Sequence, residues 1–138
     1  MPADNPSMSH TPPLILIVDD VPTILAALQM RLEAEGFGVI TARDGVEAID
    51  RARTQRPDLI VLDLMLPRLT GERVCEVLRG DRELRTVPII VLSARIGESE
   101  RLRAFASGAD AFLTKPYQAA QLMGEIRTRL SATKGFAA

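Results

Sequence analysis

The 138-residue sequence predicts a single doubly wound α/β domain, with five parallel strands in the order 2-1-3-4-5 and helices on both faces. Two observations predict it. Short apolar runs alternate with segments of helical spacing five times in succession, and three of the runs, "LILIV", "LIVL" and "PIIVL", are apolar throughout. Continuous runs of this kind suit strands buried on both faces of a parallel sheet. The composition, 46% hydrophobic and 25% charged, is that of a globular chain with room for one core.

In order, the strands are expected at 14–18, 39–41, 59–62, 88–92 and 111–113. After the first, Ile24, Leu28 and Leu32 recur every fourth residue and Gly36 supplies a stop. Val46, Ile49 and Ala52 follow the turn-like "RDG", and the helix ends before Arg56-Pro57. Val74, Val77 and Leu78 mark the third helix, with Cys75 near them as a small core or subsurface residue. Leu102, Phe105 and Ala106, closed by Gly108, mark the fourth, and Leu122, Ile126 and Leu130 the fifth. Right-handed crossovers between parallel strands then give the flavodoxin-like order, whose switch point lies between strands 1 and 3. The expected boundaries are a flexible tail over 1–12, the domain over 13–131 and a short tail over 132–138. His10, the only histidine, falls in the first tail and has no chemical partner near it.

Ligands of such sheets bind beyond the carboxyl ends of the strands. Asp19 and Asp20 follow strand 1, Asp63 follows strand 3, Ser93 strand 4 and Lys115 strand 5, so all five converge on that rim. Lys115 stands out further because fifteen of the seventeen basic residues are Arg, and Lys134, the only other Lys, is near the C-terminus. Asp19 and Asp20 could serve as caps for the helix entered at Pro22, but capping leaves Asp63 unexplained. Three carboxylates in one cleft repel one another and raise each other's pKa. A divalent cation held by oxygen ligands with retained waters, Mg²⁺ above all, relieves that repulsion. Carboxylate, cation, lysine and small hydroxyl are the components of phosphoryl transfer to an aspartate. No Walker A loop, kinase glycine loop or GxGxxG is present, so the phosphoryl donor is not a nucleotide bound by this chain.

The segments "ILIVDD", "LIVLDLMLPRLTG", "PIIVLSA" and "GADAFLTKP" resemble, in order and spacing, the receiver domain of two-component response regulators (the CheY-like superfamily), over residues 13–131. The resemblance implies that Asp63 is the phosphoacceptor, charged by a sensor histidine kinase or a histidine phosphotransfer protein. It implies that Asp20 and Asp63 give carboxylates to Mg²⁺ (or Mn²⁺), Asp19 acts through a bound water, and Met65 gives its backbone carbonyl. Ser93 would be the switch hydroxyl, Lys115 the charge partner of the phosphoryl group, and Lys115-Pro116 a cis peptide. Phe112 occupies the aromatic switch position, where many members carry Tyr, so the switch would rest on packing. The first helix around Ile24–Leu28 is the implied kinase-facing surface, and helix 4, strand 5 and helix 5 the implied output face, acting on a partner or an output domain. The protein would catalyse only its own phosphorylation and slow dephosphorylation, since neither Met65 nor Arg95 can orient an attacking water.

Two other classes compete. A haloacid-dehalogenase type phosphatase needs Asp-x-Asp after strand 1, whereas these acids are adjacent. A phosphorylation-independent pseudo-receiver usually lacks an acid-pocket residue or the lysine, and here the set is complete. Departures at Ala111, Gln121, Glu125 and Thr128 remove most of the salt bridges by which some members dimerise, which points to a monomer or weak dimer. A net charge of -1 argues against direct nucleic-acid or anionic-membrane binding. No apolar run approaches the ~20 residues of a membrane span. The single cysteine fits a reducing compartment, so a cytoplasmic address is expected.

Overall fold

The computed structural model describes residues 11–94 and 97–134. Among the described residues ten elements alternate. They are β1 (Leu14–Val18), α1 (Pro22–Ala34), β2 (Gly38–Ala42), α2 (Gly45–Gln55), β3 (Leu59–Asp63), α3 (Gly71–Arg79), β4 (Ile89–Ser93), α4 (Glu98–Ser107), β5 (Ala111–Thr114) and α5 (Ala119–Lys134). The strands form one parallel sheet in the order β2-β1-β3-β4-β5, as the alternation requires. The tail expected over 1–12 lies mostly outside the described residues, as does 135–138. α5 continues three residues past the expected boundary at 131, to Lys134.

Period-two alternation divides the core into two layers. Leu16, Val18, Ile60, Leu62, Ile89 and Val91 face α2, α3 and α4. Ile15, Ile17, Leu59, Val61, Ile90 and Leu92 face α1 and α5. Both faces being covered explains why β1, β3 and β4 read as unbroken apolar runs. Cys75 lies in the first layer, and burial pushes its thiol up to about 12, so it is structural and unreactive.

Three helix faces differ from the expected ones. α1 buries Leu25 and Leu32, with Ile24 only partly covered. Its sequence, PTILAALQMRLEA, is apolar on several sides, so every-fourth spacing does not select a face. α2 buries Ala48, Ile49 and Ala52 and leaves Val46 exposed, half a turn around from Ala48. α4 buries Ala104 and half-buries Phe105, while Leu102 is 56% exposed and Ala106 is also exposed. The charges of "GESERLR" are occupied within the fold: Arg103 pairs with Glu72 of α3 at 3.5 Å, and Arg101 lies 5.2 Å from the Phe105 ring centre.

Gly124 sits mid-helix in α5, and a Cβ there would meet nothing within 4 Å. Gly124→Ala is therefore expected to stabilise the fold by about 0.5–1 kcal/mol, through reduced unfolded-state entropy alone. Urea unfolding checks this: the midpoint should rise with the slope unchanged.

Candidate functional site

β1, β3 and β4 end at the same rim, and their last residues and the turns after them build the site. Asp19 follows β1 directly, with its N–H on the Ala42 carbonyl (3.1 Å), and is 1% exposed. Asp63 is the last residue of β3 rather than the first beyond it, and is 6% exposed. Ser93 likewise closes β4 and is fully buried. Its carbonyl accepts from the N–H of Lys115 at 2.7 Å, which fixes the start of the β5–α5 turn. The Lys115-Pro116 peptide is cis.

The two buried carboxylates are held alike. Asp19 Oδ1 accepts from the N–H of Val21 (2.9 Å), and Asp63 Oδ1 from that of Met65 (3.0 Å). Their other oxygens share one ammonium: Lys115 Nζ lies 3.1 Å from Asp63 Oδ2 and 3.5 Å from Asp19 Oδ2. Asp20 is exposed, and an oxygen from each of Asp19, Asp20 and Asp63 lies within 4.8 Å of the others. Helix capping does not explain the adjacent acids. The N-cap of α1 is Val21, no side chain caps it, and Pro22 opens the helix.

Charge in the cluster is finely opposed. Burial holds the Asp63 carboxyl above its usual range, and Asp19 adds to this, while the Met65 N–H and Lys115 pull the other way. Burial works against the charge on Lys115, but Asp63 and Asp19 outweigh it and hold the ammonium above its ordinary pKa. Three hard oxygen donors with one exposed member fit a small divalent cation that keeps some of its waters. Of the remaining residues singled out by sequence, Met65 presents an exposed side chain at the mouth of the site. Phe112 is half-buried against the α2/α3/α4-side core. It pairs with Val91 in the sheet, two residues from Ser93, so the aromatic and the hydroxyl residue share a face. Arg95 lies outside the described residues.

Two residues that the chemical reading passed over also shape the site. Tyr117 packs half-buried on the α1/α5-side core, and burial, then the charges of Asp19 and Asp63, raise its phenol against the pull of Lys115. Gly71 lets the loop after β3 return onto the strand end: its N–H donates to the Leu64 carbonyl at 3.1 Å. A Cβ on Gly71 would stand 2.8 Å from both Asp63 O and Leu64 Cα, so a side chain must move the backbone that carries Asp63. Gly71→Ala is expected to destabilise by about 1–3 kcal/mol and to slow phosphorylation, measured by urea unfolding and a phosphorylation time course.

The family profile of the response regulator receiver domain matches residues 15–127. The chain belongs to that family. Response regulator MprA of Mycobacterium tuberculosis is 43% identical over 120 residues, 87% of this chain and 51% of the relative. The signal receiver domain of a signal transduction histidine kinase from Syntrophus aciditrophicus superposes with a TM-score of 0.82 at 36% identity, covering 87% of this chain and 91% of that one. The receiver domain of a sensor histidine kinase from Pseudomonas aeruginosa, with a magnesium ion coordinated in its active-site cleft, gives a TM-score of 0.80 at 30% identity. It covers 86% of this chain and 98% of its own. The present receiver domain spans about half the length of the curated relatives it matches. Among its described residues no helix is long and apolar enough to cross a membrane.

Proposed function

We propose that this receiver domain accepts a phosphoryl group on Asp63 from a phosphohistidine of a sensor histidine kinase or histidine phosphotransfer protein, and thereby controls a partner or output domain. The observation that carries the reading is the single Lys115 ammonium set between two buried carboxylates, 3.1 Å from Asp63 and 3.5 Å from Asp19, with Asp20 beside them. In the step itself a carboxylate oxygen of Asp63 bonds to phosphorus while the phosphorus–nitrogen bond of the donor breaks, its electron pair remaining on the imidazole. Asp63 enters ionised because Lys115 and the Met65 N–H hold its charge. Lys115 then turns from the carboxylates to an oxygen of the transferred group. Ser93, next to Lys115 through its backbone, supplies a hydroxyl to another.

Asp20 and Asp63 would hold Mg²⁺ by carboxylate oxygens, Met65 by its carbonyl, and Asp19 through a water. When bound, the cation neutralises charge on the transferring phosphoryl group. The magnesium in the cleft of the Pseudomonas aeruginosa neighbour supports this assignment. Phe112 would follow Ser93 by repacking, without a hydroxyl to bond outward, and the α4–β5–α5 face would carry the output. Charges on that face are engaged within the chain, Glu125 with Arg129 at 3.3 Å and Asp110 with Arg79 at 2.8 Å, which favours a monomer or weak dimer. The docking surface for the kinase would be the exposed part of α1, and the domain would work in the cytoplasm, without direct nucleic-acid contact.

Intact mass after incubation with acetyl phosphate and Mg²⁺ tests the reading. One added phosphoryl group, absent without Mg²⁺, is expected. No adduct from acetyl phosphate or from a phosphorylated histidine protein would show instead an interaction module that does not use phosphorylation.

A further inference from the structure

The start of α2 and the loop that follows β3 belong to separate βα units, yet they pack backbone to backbone. Gly45, the first residue of α2, is buried, and its N–H donates to the Pro67 carbonyl at 3.5 Å. A Cβ on Gly45 would collide with the Leu69 carbonyl oxygen and stand 2.6 Å from the Leu69 Cβ. No side-chain rotation relieves a collision with backbone, so any residue but glycine must push the loop away. The Pro67 carbonyl also accepts from the Leu69 N–H at 2.7 Å, across Arg68 at φ +70°. This is a tight γ-turn, in a conformation that residues other than glycine seldom hold. Leu66 and Leu69, on either side of the turn, are half-buried against the core on the α2 side.

The seat on α2 is itself rigid. Asp44 Oδ1 accepts from the N–H of Glu47 at 2.8 Å, and Glu47 Oε1 from that of Arg43 at 2.7 Å, so side chains close the first turn in both directions. Asp44 Oδ2 also meets Arg68 Nη1 at 3.6 Å, but that arginine side chain is 64% exposed, and such a pair contributes little. The close approach at Gly45 therefore outweighs the ion pair. Met65 lies two residues before Pro67, with its N–H on Asp63 Oδ1 at 3.0 Å.

We propose that Gly45 is a positioning residue for the Asp63 site: by seating the turn at Pro67–Leu69 it holds the Met65 backbone in the place from which it serves a cation. The seat follows from the packing; its effect on the site rests on the reading of Met65 as a cation ligand. A loop set in advance need not be ordered when the ion arrives, so the seat acts on affinity for Mg²⁺ and not on the chemical step. Coupling of this kind is reciprocal: if the seat favours the ion, the ion tightens the seat.

Calorimetric Mg²⁺ titration and hydrogen exchange on the full chain, wild type and Gly45→Ala, test this. In metal-free buffer the variant should exchange faster by about tenfold or more at the amides of Met65, Leu66, Arg68 and Leu69. Amides 48–52 of α2 should change little, since alanine suits a helix. The Mg²⁺ dissociation constant should rise by about 10–100-fold. Phosphorylation by acetyl phosphate at saturating Mg²⁺ should return to within about threefold of wild type, a split between affinity and rate. In the wild type, Mg²⁺ should slow exchange at the amides of Gly45 and Leu69. Unchanged Mg²⁺ affinity in folded Gly45→Ala, or protection lost along α2 as much as in the loop, would overturn the proposal. If Gly45→Ala does not fold, the wild type decides, and a Gly45 amide indifferent to bound Mg²⁺ would overturn it. Absence of Mg²⁺ binding by the wild type would instead contradict the cation reading, with the seat decided by the metal-free exchange.

Discussion

Asp63→Asn is expected to lose phosphorylation completely and, in magnesium-free buffer at pH 7, to unfold at a higher temperature than the wild type. The stability gain follows from the sign of the Asp63 shift. Its folded pKa lies above the ordinary 3.8, with burial the largest cause. A carboxyl raised in this way adds stability below its unfolded pKa, and that contribution is lost as pH rises through the folded value. At neutral pH the ionised carboxylate is therefore a net cost, which an amide does not carry. Added Mg²⁺ should reverse the ranking. The wild type gains stability by mass action, about 2.7 kcal/mol at a hundredfold excess over the dissociation constant, while the variant gains far less. Thermal scans with and without Mg²⁺ read both effects. A variant less stable than wild type in magnesium-free buffer would show that the Lys115 bridge, not burial, dominates at Asp63.

Lys115→Met carries the second large effect. Phosphoryl transfer should fall by about 10²–10³, the usual cost of removing one preorganised positive group from developing charge. Stability should also fall, since two buried carboxylates lose their shared counter-charge, by about 1–3 kcal/mol at pH 7. Here too the sign is set by the shift. The Lys115 pKa lies above 10.5 in the fold because Asp63 and Asp19 outweigh burial. Its contribution is fully present below the unfolded value and is lost as pH rises through the folded one. The wild type should lose stability above about pH 10.5, and the variant should lose that part of the slope. Urea unfolding across that range checks it; parallel curves would contradict the bridge.

Strand positions and the polar rim were legible because burial on both faces writes unbroken apolar runs, and the residues ending those runs must then share one edge. Helix faces were less so. α1 is apolar on several sides, so the choice of Leu25 over Ile24 is made by the sheet it packs on. Nor does sequence separate Asp19 from Asp20, adjacent acids of which one is buried and the other exposed; sheet pairing through Ala42 decides it. Arg79, the last residue of α3, donates to five oxygens, those of Leu84, Arg85, Val87 and Gly108 and the Asp110 carboxylate, and was invisible for a different reason. Four of its five acceptors are backbone carbonyls in turns, and a carbonyl leaves no mark in residue type. Gly71 lies inside the segment "LIVLDLMLPRLTG", but its role depends on a loop that returns so close that a Cβ on Gly71 would stand 2.8 Å from the Asp63 carbonyl oxygen.

The most direct measurement is chemical trapping of the phosphorylated residue. Borohydride reduces an acyl phosphate to an alcohol and leaves free carboxylates untouched, so peptide sequencing by mass after treatment with acetyl phosphate and Mg²⁺ locates the acceptor. Reduction at residue 63 alone is the predicted result. Reduction at Asp19 or Asp20, or at no residue in protein that carries the phosphoryl mass, would contradict the assignment of Asp63.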